Sequence, residues 1–429
     1  MSGWAQQAIL WQVYPLGFVG ADVTGAIAQP DRHLLRGLIE WLDYAVELGC
    51  SGLLLGPIFT SATHGYDTIN YTKIDPRLGT EADFDALVQA CHQRGLKLVL
   101  DGVFNHVGST YPAYLDVLKH ADSSAYRDWF VADGDGYATF EGHPGLIKLN
   151  HQQPQVATYV TEVMTHWLGR GADGWRLDAA YSVPASFWAP IVATVHAEHP
   201  DAYIFGEMIH GDYAEYVQAS GLDSVTQYEL WKAIWSALNE RNFYELSWAL
   251  ARHADFAQSF VPQTFIGNHD VTRIASKLSD RQLLPHALVV LVTVAGTPSI
   301  YAGDEQAFRG EKYDRAGGDD EIRPPFPATP AQLSDIGAET HRLHQELLGL
   351  RCRLPWLFKA APIEVHTTNE QLVYRCEGAG GAIVVALNLA DQPVTVPAPH
   401  TDAVLAGNAV LNGDEVQLQA RGWAVLGSY

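Results

Sequence analysis

"GADGWRLDAA", residues 171–180, decides how the chain is read. A short apolar step ends on Arg176 and Asp178, two positions apart and therefore on one face of an extended strand. A guanidinium and a carboxylate side by side where a buried strand finishes belong at the rim of a sheet, where side chains meet ligands.

Working outward from that strand, the same unit recurs. Apolar runs read as strands in "AILWQVYPLGF" (8–18), "SGLLLGPIF" (51–59), "LKLVLDGVFNH" (96–106), "ADGWRLDAA" (172–180) and "AYIFGEM" (202–208). Three more follow in "SVTQYEL" (224–230), "QTFIGNHD" (263–270) and "TPSIYAGDE" (297–305). Segments of helical period separate several of them: 34–50, 81–95, 155–171, 184–200 and the strongly apolar "LLPHALVVLVTVAG" (283–296). Strands alternating with helices imply a parallel sheet, and eight such units close into a (β/α)8 TIM barrel of the α/β class.

The pattern is interrupted once and then changes. Residues 107–150, with "GYATFEGHPGLIKLN" (136–150), form an aromatic, Gly- and Asp-rich stretch expected to be a long loop subdomain after the third strand. After Pro355 the period becomes two, in "QLVYRCEG", "AIVVALNLA" and "GWAVLGSY", which predicts an antiparallel β-sandwich over 355–429. The barrel is therefore expected from 1–106 and 151–354.

Charge and composition narrow the class of function. With 27 Lys and Arg against 49 Asp and Glu, the formal net charge of -22 repels phosphate backbones and anionic membranes, so nucleic acid is not an expected partner. No basic residue precedes the first apolar segment, no run is long enough to span a bilayer, and the four cysteines have no metal-ligand spacing. A cytoplasmic protein with no metal and no cofactor is expected.

Four of the predicted strands end in acids: Asp101, Asp178, Glu207 and Asp270. Singly, each reads as a helix cap or a loop anchor. On a barrel their strand ends converge, so the four are expected to share one site with Arg176, His106 and His269. Two carboxyl groups facing one bond suit glycoside chemistry, one attacking the anomeric carbon and the other protonating the leaving oxygen. Arg176 is expected to keep Asp178 ionised, and an apolar strand before Glu207 is expected to favour its protonated form.

These motifs resemble those of the α-amylase family, glycoside hydrolase family 13. "DGVFNH" (101–106), "GWRLDAA" (174–180), "GEMIH" (206–210) and "GNHD" (267–270) are similar to its four main motifs in order, and "HGYDTINYTKIDPRLGT" (64–80) to the stretch after its second strand. The resemblance implies that Asp178 is the nucleophile, Glu207 the acid/base and Asp270 the transition-state stabiliser. It implies that Tyr66, His64, His106, Arg176, His269 and Asp101 bind a neutral oligosaccharide, with Tyr66 as an aromatic platform.

Two departures carry information. Lys148 in "LIKLN" (146–150) stands where many α-amylases have an acid that helps bind calcium, and its ammonium is expected to replace that ion by pairing with nearby carboxylates. This lysine and "GGDDEIRPPF" (317–326) resemble the neopullulanase, cyclomaltodextrinase and maltogenic amylase branch. That branch carries an extra N-terminal β-domain and forms dimers, whereas here the first barrel strand is expected near residue 9; a homodimer stays an open expectation. The chain also resembles hydrolases of cyclic maltosyl-maltose. The implied activity is retaining hydrolysis of α-glucosidic bonds in short or cyclic α-glucans. The alternatives are a transglycosylase or isomerase, such as a maltose-to-trehalose converter, and a non-catalytic relative.

Overall fold

A computed structural model describes residues 3–25 and 32–428. Eight parallel strands run in the sheet: β1 (Leu10–Val13), β2 (Gly52–Leu55), β3 (Lys97–Gly102), β4 (Gly174–Leu177), β5 (Tyr203–Gly206), β6 (Ser224–Val225), β7 (Gln263–Phe265) and β8 (Thr297–Tyr301). Their order is β6-β5-β4-β3-β2-β1-β8-β7, and a parallel bridge between Thr226 and Gln263 joins the two ends. The sheet is thus closed into the barrel that the alternating strands and helices predict.

Side-chain alternation divides each strand between two cores. Leu10, Leu54, Val99, Tyr203 and Phe205 cluster inside the barrel with Ala5 and Ala8. Their neighbours Trp11, Leu53, Leu55, Leu98, Leu100, Trp175, Leu177 and Ile204 join the larger cluster under the helices. Such two-sided burial explains why these strands read as continuous apolar runs.

Several elements differ from the sequence reading. The first strand stops at Val13, because Pro15 starts a helical turn over Pro15–Phe18. The segment expected as one helix begins as a 3-10 helix, Leu34–Trp41, and becomes α-helical only over Leu42–Leu48. Two helices between β6 and β7, Tyr228–Glu240 and Phe243–Ser259, were not anticipated. Their signal was present: Leu230, Ala233, Ile234, Ala237 and Leu238 recur at helical spacing and are buried.

Between β3 and β4 the chain leaves the barrel, forming a helix, Pro112–His120, and a short antiparallel ladder that pairs His106–Gly108 with Leu146–Lys148 at the two ends of the excursion. Residues 362–427 hold a five-stranded and a three-stranded antiparallel sheet. Period two again sorts the side chains. Val373, Val384, Ala386, Ala424 and Leu426 face Val396, Val416 and Leu418 of the smaller sheet, whereas Leu372, Tyr374, Cys376, Val385 and Leu387 belong to the main core. Among the described residues no helix is long and apolar enough to cross a membrane.

One buried cation ties the last barrel helix to the rest. Arg351, in the helix Ala338–Arg353, donates from Nη1 to the carbonyls of Val292 and Val294 at 2.7 and 2.9 Å and from Nη2 to Gly296 at 2.5 Å. The first two belong to the C-terminal end of the helix Leu284–Thr293, which has no basic residue in its last turn, and Gly296 directly precedes β8. Burial lowers the guanidinium pKa to about 10, so it stays charged at neutral pH. Arg351→Met leaves three carbonyls unpaired in a dry setting and is expected to cost about 3 kcal/mol. Urea unfolding followed by circular dichroism measures this; a loss under about 0.5 kcal/mol would remove Arg351 from the structural account.

Candidate active site

Strand register assembles the site. Arg176 of β4 lies opposite Asp101 of β3 and Phe205 of β5, so guanidinium and carboxylate share one inward-facing layer of the barrel. One step nearer the carboxyl ends, Asp178 donates its backbone N–H to Gly102 O at 3.0 Å and Glu207 donates its own to Leu177 O at 2.9 Å. Asp178 and Glu207, each two residues beyond an inward position, therefore point over the same rim. Asp270 arrives from the loop after β7.

Arg176 is the hub of this layer. Its Nη1 reaches Asp101 Oδ2 at 2.6 Å and Asp178 Oδ1 at 3.3 Å, and its Nη2 reaches Glu207 Oε1 at 2.8 Å and Asp270 Oδ2 at 3.9 Å. Burial opposes the charge on Arg176, but Asp101, Glu207 and Asp178 together push its pKa well up. All four strand-end acids predicted from the sequence meet on one guanidinium.

The protonation environments differ from expectation. Burial, reinforced by Glu207, pushes Asp178 well above the usual carboxylate range, and Arg176 only partly opposes it. The expected net depression of Asp178 by Arg176 is therefore not found, because burial and the neighbouring Glu207 outweigh the guanidinium. Burial likewise raises Asp101. Glu207 is not in the apolar setting predicted for it: besides Arg176, its carboxylate accepts from Ala179 N–H at 2.9 Å and from Tyr228 Oη at 3.2 Å. Depth works against ionisation of Asp270, yet His269, Arg323 and Arg176 hold it well below its ordinary value.

A second group lines the opposite side. Tyr66 donates its phenol to Asp101 Oδ2 at 3.0 Å and also contacts His269 Nε2. The Tyr66 and His269 rings stack at 5.4 Å. His269 Nε2 sits 2.9 Å from Asp270 Oδ2, and its Nδ1 meets the Gln12 side-chain amide at 3.1 Å. His106 donates Nε2–H to Tyr66 O at 2.9 Å and its Nδ1 faces Asn105 Nδ2 at 3.0 Å. Burial lowers the His106 pKa to about 4, which keeps the ring neutral. His64 does not touch the acids; its Nδ1 accepts Tyr66 N–H at 3.2 Å and fixes the turn that carries Tyr66.

Three participants were missed by sequence reasoning. Tyr228 reaches Glu207 and accepts from Asn268 Nδ2 at 2.9 Å. Arg323 donates from Nη2 to Asp270 Oδ1 at 2.8 Å and from Nε to His269 O at 2.8 Å, while its guanidinium lies 4.7 Å from the centre of the Tyr14 ring. Gln12 completes the set. Gln12 carries a signal, as the inward polar residue of an apolar strand, and Arg323 lies within the family-like stretch 317–326.

Lys148 departs from expectation too. Its ammonium donates to Ser182 Oγ at 3.3 Å, a hydroxyl rather than a carboxylate. Lys148 pairs with His106 in the antiparallel ladder, and its side chain meets the turn at 180–182. Among the described residues no group of three or more His, Cys, Asp or Glu side chains is set to hold a metal ion.

Comparison with known proteins places these features in context. The model of the alpha amylase catalytic domain matches residues 12–329, and a domain of unknown function, DUF3459, matches residues 363–426. A cyclomaltodextrinase of a Bacillus species is 33% identical over 338 residues, covering 72% of this chain; the match spans 60% of that relative's length. The ligand-free cyclic alpha-maltosyl-(1→6)-maltose hydrolase of Arthrobacter globiformis superimposes with a TM-score of 0.84 at 27% identity, covering 100% of this chain and 99% of that one. An acarbose-soaked debranching enzyme of Nostoc punctiforme does so with a TM-score of 0.83 at 26% identity, covering 100% and 99%. With the catalytic-domain match running from β1 to beyond β8, the chain belongs to the alpha-amylase family of glycoside hydrolases.

Proposed function

We propose that this protein hydrolyses α-glucosidic bonds in short or cyclic α-glucans with retention of configuration. The observation that carries the reading is the contact of one guanidinium with Asp101, Asp178, Glu207 and Asp270, a clustering of carboxyls that suits an attacking carboxylate and a proton donor acting on one bond. The substrate class takes support from the cyclomaltodextrinase and cyclic maltosyl-maltose hydrolase among its relatives. The working division of the chain is a catalytic barrel (1–106 and 151–354), an inserted subdomain (107–150) and a C-terminal β-domain (355–429).

In the first step an Asp178 oxygen bonds to the anomeric carbon as the glycosidic C–O bond breaks, and Glu207 gives its proton to the departing oxygen. In the second, Glu207 takes a proton from water, whose oxygen displaces Asp178 and restores the original anomer. Asp270, held ionised by His269 and Arg323, engages sugar hydroxyls and strengthens that grip as positive charge builds on the ring. Tyr66 gives the sugar a ring face against its C–H surface, while His106 and His64 fix the Tyr66 backbone. The reactive form has the proton of the Asp178–Glu207 pair on Glu207 and the negative charge on Asp178.

Asp178→Asn removes the nucleophile but no packing contact, so kcat on maltotriose is expected to fall by roughly 10^4 or more while the unfolding midpoint is kept. Turnover within tenfold of the parent would end the assignment. Since burial raises Asp178, activity is lost as falling pH protonates it, and the acid limb of kcat/KM should lie above the ordinary aspartate value of about 3.9. A limb below about pH 3.5 would contradict a buried nucleophile. Product analysis in dilute maltotriose distinguishes hydrolysis from transfer, and a first-released sugar in the β configuration would overturn retention.

A further inference from the structure

The rim beyond Glu207 holds a second set of side chains that the reaction above does not use. Tyr181, three residues after Asp178, donates its phenol to Glu141 Oε1 at 2.9 Å. Glu141 belongs to the excursion between β3 and β4, so this bond ties the excursion to the barrel rim. Phe140 stacks on His106, with ring centres 4.8 Å apart and planes within 14°, and lies 6.4 Å from Tyr181. His210, three residues past Glu207, packs edge-on against Tyr181 at 5.2 Å.

Bonding relates this set to Glu207. Tyr66 is bonded to Asp101, and His269 and Arg323 to Asp270. Tyr181 is tied to Glu207 instead: its backbone N–H donates to Glu207 O at 3.1 Å. Burial and the nearby charges of Glu141, Glu207 and Asp178 push the Tyr181 phenol well up, so it remains a hydrogen-bond donor. The Tyr181 and Phe140 rings are half-buried, which leaves apolar ring surface open to a ligand, and Glu141 and His210 are exposed beside them. Half-open ring faces beside polar groups suit an uncharged pyranose.

We propose that the Tyr181–Glu141 bond is a clasp that holds the leaving-group side of the cleft in shape, with Phe140 and His210 as its walls, and so selects the sugar that departs from Glu207. This deepens the proposed function and rests on Asp178 and Glu207 being the reacting pair. Glu141 sits in the left-handed region, at φ 49° and ψ 30°, an unusual place for a residue with a side chain. A clasp on such a turn fixes the carboxylate before substrate arrives and spares the ordering cost of doing so on binding.

Two substrates separate this role from general damage. Fluoride in α-maltosyl fluoride occupies no sugar position on the leaving side and needs little protonation, whereas maltotriose and a cyclodextrin place a glucosyl unit there. Tyr181→Phe keeps the ring and removes the bond; kcat/KM on maltotriose and cyclodextrin is expected to fall about tenfold, mainly through KM, with less than a twofold change on the fluoride. Glu141→Ala, at an exposed position, should match it and serves if Tyr181→Phe folds poorly. Glu141→Gln keeps an acceptor and should stay within about threefold of the parent. Equal losses on fluoride and oligosaccharides, or no loss in either bond-breaking variant, would overturn the clasp. A parent protein inactive on both substrate classes would instead overturn the proposed function.

Discussion

The buried guanidinium of Arg176 is the constraint on which the rest of the site depends. Four carboxyl groups converge on the barrel mouth, and without a central positive charge their mutual repulsion and desolvation would oppose the arrangement. Arginine suits the task because its planar fork presents donors in several directions at once: Nη1 serves Asp101 and Asp178, and Nη2 serves Glu207. A lysine would offer one compact charge. The hub works only because β3, β4 and β5 pair in one register; a one-residue slip of β4 would turn Arg176 outward among the apolar residues beneath the helices.

Around this hub, each acid is distinguished by its other neighbours. Asp178 meets the guanidinium at 3.3 Å and is dominated by burial, whereas Asp270 is shared between His269 and Arg323. Glu207 is oriented by a backbone N–H and a phenol. Arg323 is steadied in turn by the Tyr14 ring and by Asp319 at 2.9 Å. Thus the late loop 317–326, far from the four acids in sequence, completes the setting of one of them.

The strand ends were legible because a barrel turns a one-dimensional regularity into proximity: an acid that follows an apolar strand reaches the same rim as its counterparts, whatever the separation in sequence. Lateral neighbours were not legible. That Arg176 sits beside Asp101 rather than closest to Asp178 depends on inter-strand register, which sequence spacing does not encode, and the same holds for the Ala179 and Tyr228 donors that meet Glu207. Tyr228 and Arg323 escaped notice for a related reason, as each comes from a connection whose path is set by packing. The helices 228–240 and 243–259 have a clear period, but they follow a strand of only two residues, Ser224–Val225, so the apolar residues after it read equally well as more strand. By contrast, alternation in 371–390 correctly announced strands whose two faces serve two different cores.

Ala179 shows how the fold holds the site in place. It follows Asp178 and adopts the left-handed conformation, at φ 46° and ψ 36°, which costs an alanine about 1–2 kcal/mol. That geometry turns its N–H onto Glu207 Oε2 at 2.9 Å. Ordinary backbone bonds fix the residues on both sides: Asp178 N–H to Gly102 O, Ser182 N–H to Ala179 O and Tyr181 N–H to Glu207 O. Glycine would adopt the same φ without strain, but it would also give the chain freedom beside the two reacting carboxyls. Keeping the methyl group narrows the backbone to the conformation that the neighbouring bonds impose, so the relative placement of Asp178 and Glu207 is set by the main chain of β4 and β5 before any sugar enters.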